Sequence, residues 1–165
     1  MANCETAFDS DIELQIYAAM EQIEKDCQRQ LLSATYEHSQ ECFGSEIELK
    51  MRPVTSVTSV TYLDENGASQ TLAAADWRFD QARQSVLPAV GGTFPTTVND
   101  LNAVTVNYVA GYGAGSDCLP RLLKQAIMLA VASWFMDPAE ESATRFQETP
   151  AYQRIVDLLQ PGIYP

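Results

Sequence analysis

The stretch from Asn107 to Ile127, NYVAGYGAGSDCLPRLLKQAI, passes from a β-like run through Gly111, Gly113 and Gly115 into an apolar segment. A strand, a Gly-rich turn and a helix can cradle phosphate, because backbone N–H groups at a helix start attract anions. The spacing here is Gly-x-Gly-x-Gly, with Ser116 where the dinucleotide fingerprint Gly-x-Gly-x-x-Gly places its third glycine. No Gly-Lys-Ser/Thr occurs anywhere, which removes the P-loop. The strand before the turn is also the last β segment, so no parallel strand follows to complete a βαβ crossover. Gly111, Gly113 and Gly115, with Pro120 after them, are therefore expected to form a structural turn needing positive φ. A small ligand-binding or enzyme domain using that turn is the alternative.

Other chemistry is poorly provided for. His38 is the one histidine, and neither a Gly-x-Ser-x-Gly elbow nor a local Cys and His signature is present. Cys4, Cys27, Cys42 and Cys118 contain no Cys-x-x-Cys pair and read as free thiols. A zinc site from Cys27, His38 and Cys42, with Cys4 or Cys118 as fourth ligand, would need His38 and Cys42 one helical turn apart; the spacing matches no usual ligand pattern. His38 is expected at a helix end on the surface. The acidic pairs Asp9/Asp11 and Glu140/Glu141 sit at expected helix starts, where carboxylates stabilise the dipole. Trp77 and Phe79 alternate as sheet-packing residues do. No catalytic, metal or cofactor site is expected, and the chain does not read as an enzyme.

Charge narrows the partners. Ten basic and 22 acidic side chains give a formal charge of −12, the wrong sign for gripping a phosphate backbone. The first residues, MANCETAFDSD, lack a basic segment followed by an apolar one, so no signal peptide is read and the cytoplasm is the expected compartment. The longest apolar run, Ala126 to Met136, is too short to cross a bilayer.

These residues must be positioned by an α+β arrangement: a long N-terminal helix, an antiparallel β meander, then C-terminal helices. Ser10-Asp11-Ile12-Glu13 reads as a capping box, after which Ile12, Ile16, Met20, Ile23, Cys27 and Leu31 recur on one face to a helix end near Leu32 or slightly later. From Glu46 the texture is β: EIELKM, a break at Arg52-Pro53, then VTSVTSVTYL, whose period of three implies a bulge or a late strand start. Asn66-Gly67 predicts a tight hairpin returning through Ser69 to Leu72. WRFD at Trp77–Asp80 and SVL at Ser85–Leu87 read as short strands, Val90 to Asn102 as a loop, and AVTVNYVA as the strand that closes the sheet. The helix from Pro120 to Met136 has almost no polar face and is expected to be buried, within the fold or between subunits. Asp137-Pro138 and Thr149-Pro150 each restart a helix, the second placing Tyr152, Ile155, Val156 and Leu159 on one stripe.

The order of these segments resembles the tailed-phage head-tail connector (adaptor) family, also found in prophages and gene transfer agents. The resemblance is carried by AAMEQIEKDCQRQL (Ala18–Leu31), RPVTSVTSVTYLDENG (Arg52–Gly67), AADWRFD (Ala74–Asp80) and, most closely, VTVNYVAGYGAGSDCLPRLLKQAIMLAVASWF (Val104–Phe135). It departs at Met136-Asp137-Pro138-Ala139, where relatives commonly show an Arg-Glu pair. The resemblance implies a structural virion protein: residues 1–165 forming one connector domain, assembled in the host cytoplasm into a ring, dodecameric, in the head-tail neck. Its implied partners are the portal protein and a stopper or tail-completion protein, with DNA passing through the channel without specific binding and no membrane involved. Residues 160–165 (Gln160, Pro161, Gly162, Ile163, Tyr164 and Pro165) are then the portal-docking tail, and Leu122, Ile127, Val131, Trp134 and Phe135 the subunit interface. Another neck or tail-completion ring protein is the second reading.

Overall fold

A computed structural model describes residues 5–136 and 150–159. The chain divides into two compact units, one formed by the two ends of the chain and one by residues Leu32–Ala114. The fold class is α+β, with an N-terminal helix, antiparallel strands and C-terminal helices.

The helical unit contains α1 (Glu5–Cys27), α2 (Arg121–Met136) and α3 (Pro150–Leu159), each packed against the other two. α1 starts before Ser10, so the expected capping box lies inside the helix. A cap contributes only about 1 kcal/mol and need not mark the helix start. It ends at Cys27, earlier than expected, because Gln28 takes a left-handed conformation (φ 52°) and the Arg29 amide donates to the Glu24 carbonyl at 3.2 Å. Glu24 Oε1 accepts from the Leu31 amide at 2.8 Å, securing the chain as it leaves. Ala19, Ile23 and Cys27 of α1, Leu123, Ala126, Ile127 and Ala130 of α2, and Tyr152, Ile155, Val156 and Leu159 of α3 form the buried stripes. The α3 stripe is the one expected from its spacing. Buried Arg29 donates from Nε to the Leu159 carbonyl at 2.6 Å, satisfying an end group of α3 where the dipole favours a cation. The expected helix restart at Asp137-Pro138 and the tail at Gln160–Pro165 lie outside the described residues.

The β unit holds seven strands: β1 (Ala34–Gln40), β2 (Ile47–Glu48), β3 (Val54–Leu63), β4 (Ser69–Thr71), β5 (Trp77–Asp80), β6 (Ser85–Pro88) and β7 (Val104–Ala110). They form two antiparallel sheets, ordered β1-β7-β3-β4 and β2-β6-β5. β7 does not close an edge as the segment order suggested. It lies between β1 and β3 and alternates strictly, with Val104, Val106, Tyr108 and Ala110 buried. β1 was not expected; ATYEHSQ pairs with β7 from Ala34↔Ala110 to Gln40↔Val104, which puts His38 opposite Val106 on a strand.

The Thr-Ser-Val repeat of β3 has a geometric meaning. The register shifts between Val54 and Ser56 and between Val57 and Ser59, so Thr55 and Thr58 are the extra residues of two bulges. Three residues of β3 therefore span two of β7. Val54, Val57 and Val60 pair with Ala110, Tyr108 and Val106, all core-facing, and a period of three on one strand meets a period of two on the other. In the β3–β4 hairpin Gly67 has φ 78°, and Asp64 Oδ1 accepts from the Asn66 and Ala68 amides at 2.9 and 3.0 Å. Ile47, Leu49, Val86, Val60 and Leu72 join the β7 residues in one core, and Gln84 stitches its margin, accepting from the Leu49 amide with its carbonyl and from the Val54 amide with its side chain.

Candidate functional site

The corner after β7 is built by hydrogen bonds within the chain. Gly111 donates its amide to the Pro53 carbonyl at 2.8 Å, and its carbonyl accepts from Thr55 Oγ1 at 2.9 Å. The Gly113 carbonyl accepts from the Ser33 amide at 2.9 Å. Gly111 and Gly113 have φ of 125° and 153°. A Cβ on Gly111 would lie 2.6 Å from the carbonyl carbon and oxygen of Leu32 and 2.7 Å from Ser33 Cα, so glycine is demanded by a backbone passing close by. At Gly115 a Cβ would meet open space. The Gly111 amide, which a phosphate cradle would need, is committed to Pro53. Beyond the corner, Ser116–Cys118 makes a single 3-10 turn and Pro120 lies just before α2, its carbonyl accepting from the Lys124 amide at 3.1 Å.

Three titratable groups are shifted chiefly by burial. Burial, reinforced by the Asp26 carboxylate and eased by Arg29, pushes the Cys27 thiol up to about 11, so it stays protonated and unreactive. Tyr152 donates its hydroxyl to Asp26 Oδ2 at 2.6 Å; burial first, and that bond second, push its phenol far above its usual range. Burial and then the nearby Lys50 ammonium hold His38 below its usual value, with a Gln40 hydrogen bond pulling the other way, which leaves it neutral near pH 7. Because His38 lies on β1 and Cys42 in the loop after it, they are not one helical turn apart. An open groove of about 410 Å³ lies beside that loop, lined by Cys42, Phe43, Phe94 and residues Thr93 to Thr97. Its walls are rings, hydroxyls and backbone, with no paired acid and base, and Phe43 and Phe94 stack at 4.5 Å.

The surface of the helical unit departs further from expectation. α2 buries a stripe rather than being covered all round: Met128 on the far side is 71% exposed, and Leu122 and Leu129 on the flank are each 36% exposed. Of the expected interface residues, Leu122 lies on the exposed flank of α2, Val131 and Trp134 are half-buried, Ile127 is buried in the unit's own core with little area left for a neighbour, and the Phe135 side chain lies outside those described. On α1, Leu14 and Tyr17 are 69% and 63% exposed. They fall off the Ile12/Met20/Ile23 stripe, and that mismatch is the sequence signal that could have found them. Ile16, expected on the buried stripe, is exposed. Among the described residues no helix is long and apolar enough to cross a membrane.

No family model and no curated protein matches the sequence. Solved structures do match. A chain in the neck of an empty GTA particle, computed with C6 symmetry, superposes with a TM-score of 0.73 at 25% identity, covering 92% of this chain and 78% of that one. A chain in the virion of a native gene transfer agent (GTA) particle gives 0.72 at 25% identity over 92% and 77%. A chain in the neck of a native GTA particle, computed with C12 symmetry, gives 0.72 at 24% identity over 91% and 81%, a likeness of fold. The chain is thus a structural relative of chains from gene transfer agent particles and their necks, and its resemblance to the head-tail connector family is supported over 91–92% of its length.

Proposed function

We propose that the chain is a non-enzymatic neck protein of a virion-like particle, a head-tail connector that forms a ring between the portal and the stopper or tail. The observation that carries this is the fold shared over 92% of the chain with a chain of a particle neck. Twelve copies suit that likeness, because a twelvefold ring satisfies both C12 and C6 symmetry, the two under which such necks were computed. The ring completes the head and lets DNA pass. Its charge of −12 per chain repels the phosphate backbone, so the channel surface guides DNA without holding it. Residues 160–165 dock on the portal, with Tyr164 as an aromatic anchor.

Electron microscopy of the purified protein, alone and with its portal, tests this reading: closed rings seated on the portal are expected, and a monomer that binds neither portal nor neck protein would overturn it. Removing 160–165 should abolish portal binding and leave ring formation intact. A second reading, another ring component of the neck or tail, rests on the same shared fold. It would be favoured by rings that bind a tail-side protein and never the portal.

A further inference from the structure

We infer that the ring is built by a head-to-tail contact in which the outward face of α1 on one copy packs against the outward face of α2 on the next. This rests on the ring reading above and specifies its contact. Both faces lie in the helical unit. In an α-helix successive residues turn by about 100°, which places Leu14 and Tyr17 about opposite the Ala19/Ile23 stripe. By the same geometry Met128 and Ala132 lie about opposite Leu123/Ala126/Ala130, with Leu122 and Leu129 on the flank between the two faces. Each helix therefore turns one apolar face into the core and a second one out to solvent. Leu14 and Tyr17 at 69% and 63% exposure on α1, and Met128 at 71% beside Leu129 at 36% on α2, are exposed apolar clusters of the kind that marks a protein contact.

The charges around the two patches choose the partner. On α1, Leu14 and Tyr17 are flanked by exposed Glu13 and Glu21. α2 carries Arg121 and Lys124 and no acidic residue anywhere in its sixteen positions. Arg121 is exposed at the N-terminal end of α2, where the helix dipole disfavours a cation, and no described residue pairs with it. An acid-rimmed apolar patch and a base-rimmed apolar patch on one chain are complementary to each other and not to themselves. Self-pairing of either patch would set like charges together and stop at a two-fold dimer, whereas joining two different patches continues from copy to copy and can close a ring.

Two double variants test this: Leu14→Lys with Tyr17→Lys, and Met128→Glu with Leu129→Glu. All four positions are solvent-accessible and the new residues are good helix formers, so circular dichroism should show the native fold in both. Sedimentation should find each variant monomeric where the wild type is assembled, with association weakened about 30-fold or more, as for loss of an interface hot spot. An equimolar mixture should recover a heterodimer and stop there, since each variant keeps the one patch the other lacks. Variants that assemble like the wild type would overturn the contact while leaving the ring reading in place. Loss of assembly in the α2 variant alone would mean self-pairing and also overturn it. Normal rings that no longer hold the portal would assign these faces to the portal and overturn it too. A wild type that stays monomeric with and without portal would remove the ring reading and this contact together.

Discussion

Replacing Gly111 by alanine should destabilise the chain by an amount that follows from its surroundings. An alanine held at φ 125° costs about 1–3 kcal/mol. The added Cβ would stand 2.6 Å from Leu32 backbone atoms, so the corner must move. That movement breaks or lengthens the Gly111–Pro53 and Thr55–Gly111 hydrogen bonds, each contributing about 1 kcal/mol net. The total is about 3–5 kcal/mol, a large share of the about 5–15 kcal/mol that holds a typical domain folded. With a urea slope of about 2 kcal/mol/M, the midpoint should fall by about 2 M, followed by circular dichroism and by Trp77 fluorescence in the β unit. Gly115→Ala is the internal control. It has open space around its Cβ and no positive φ, and should change stability by no more than about 1 kcal/mol, in either direction. A Gly111→Ala variant as stable as the wild type, or a Gly115→Ala variant equally damaged, would refute the reading of the corner as a tight backbone crossing.

Three further outcomes follow from the titratable groups and the charge. In the native protein a thiol reagent should modify exposed Cys42 and Cys118 and spare Cys27, which is buried and, with its pKa raised from 9.0 to about 11, holds about 100-fold less thiolate; fast native-state labelling of Cys27 would contradict its placement. His38 is held below its ordinary 6.5, so as pH falls through 6.5 the unfolded chain takes up a proton that the folded chain refuses, and stability declines. That decline should flatten in His38→Gln, measured by urea midpoints between pH 7 and pH 5, and an unchanged slope would count against it. The assembled protein should show no retention of duplex DNA at low salt in a gel-shift assay; tight binding there would contradict a DNA-repelling channel surface.

The features legible in the sequence are those whose cause is local. Asn66-Gly67 fixes its hairpin through a backbone conformation few residues adopt, and the Thr-Ser-Val triplets disclose their bulges because each extra threonine keeps the next valine on the core side. The stripe Tyr152/Ile155/Val156/Leu159 on α3 is likewise read directly from helical spacing. What stayed hidden depends on distant partners. The polar run ATYEHSQ becomes a strand only because β7, some seventy residues later, offers it a ladder. The end of α1 is set by Gln28 in a left-handed conformation, which a glutamine gives no warning of. The separation of the strands into two sheets follows from pairings such as Ile47↔Val86 that no periodicity reveals. On α2 the apolar pattern is visible, but which side the fold covers is decided by α1 and α3. Met128 and Ile127 are neighbours of similar character, and one is exposed while the other is buried.

Assembly of this chain as a ring in a particle neck is tested by electron microscopy of the protein mixed with its portal. The expected image is a closed ring of twelve copies coaxial with the portal, with α1 of each copy against α2 of the next. A chain that remains a single copy, with no density on the portal at any concentration tried, would contradict it.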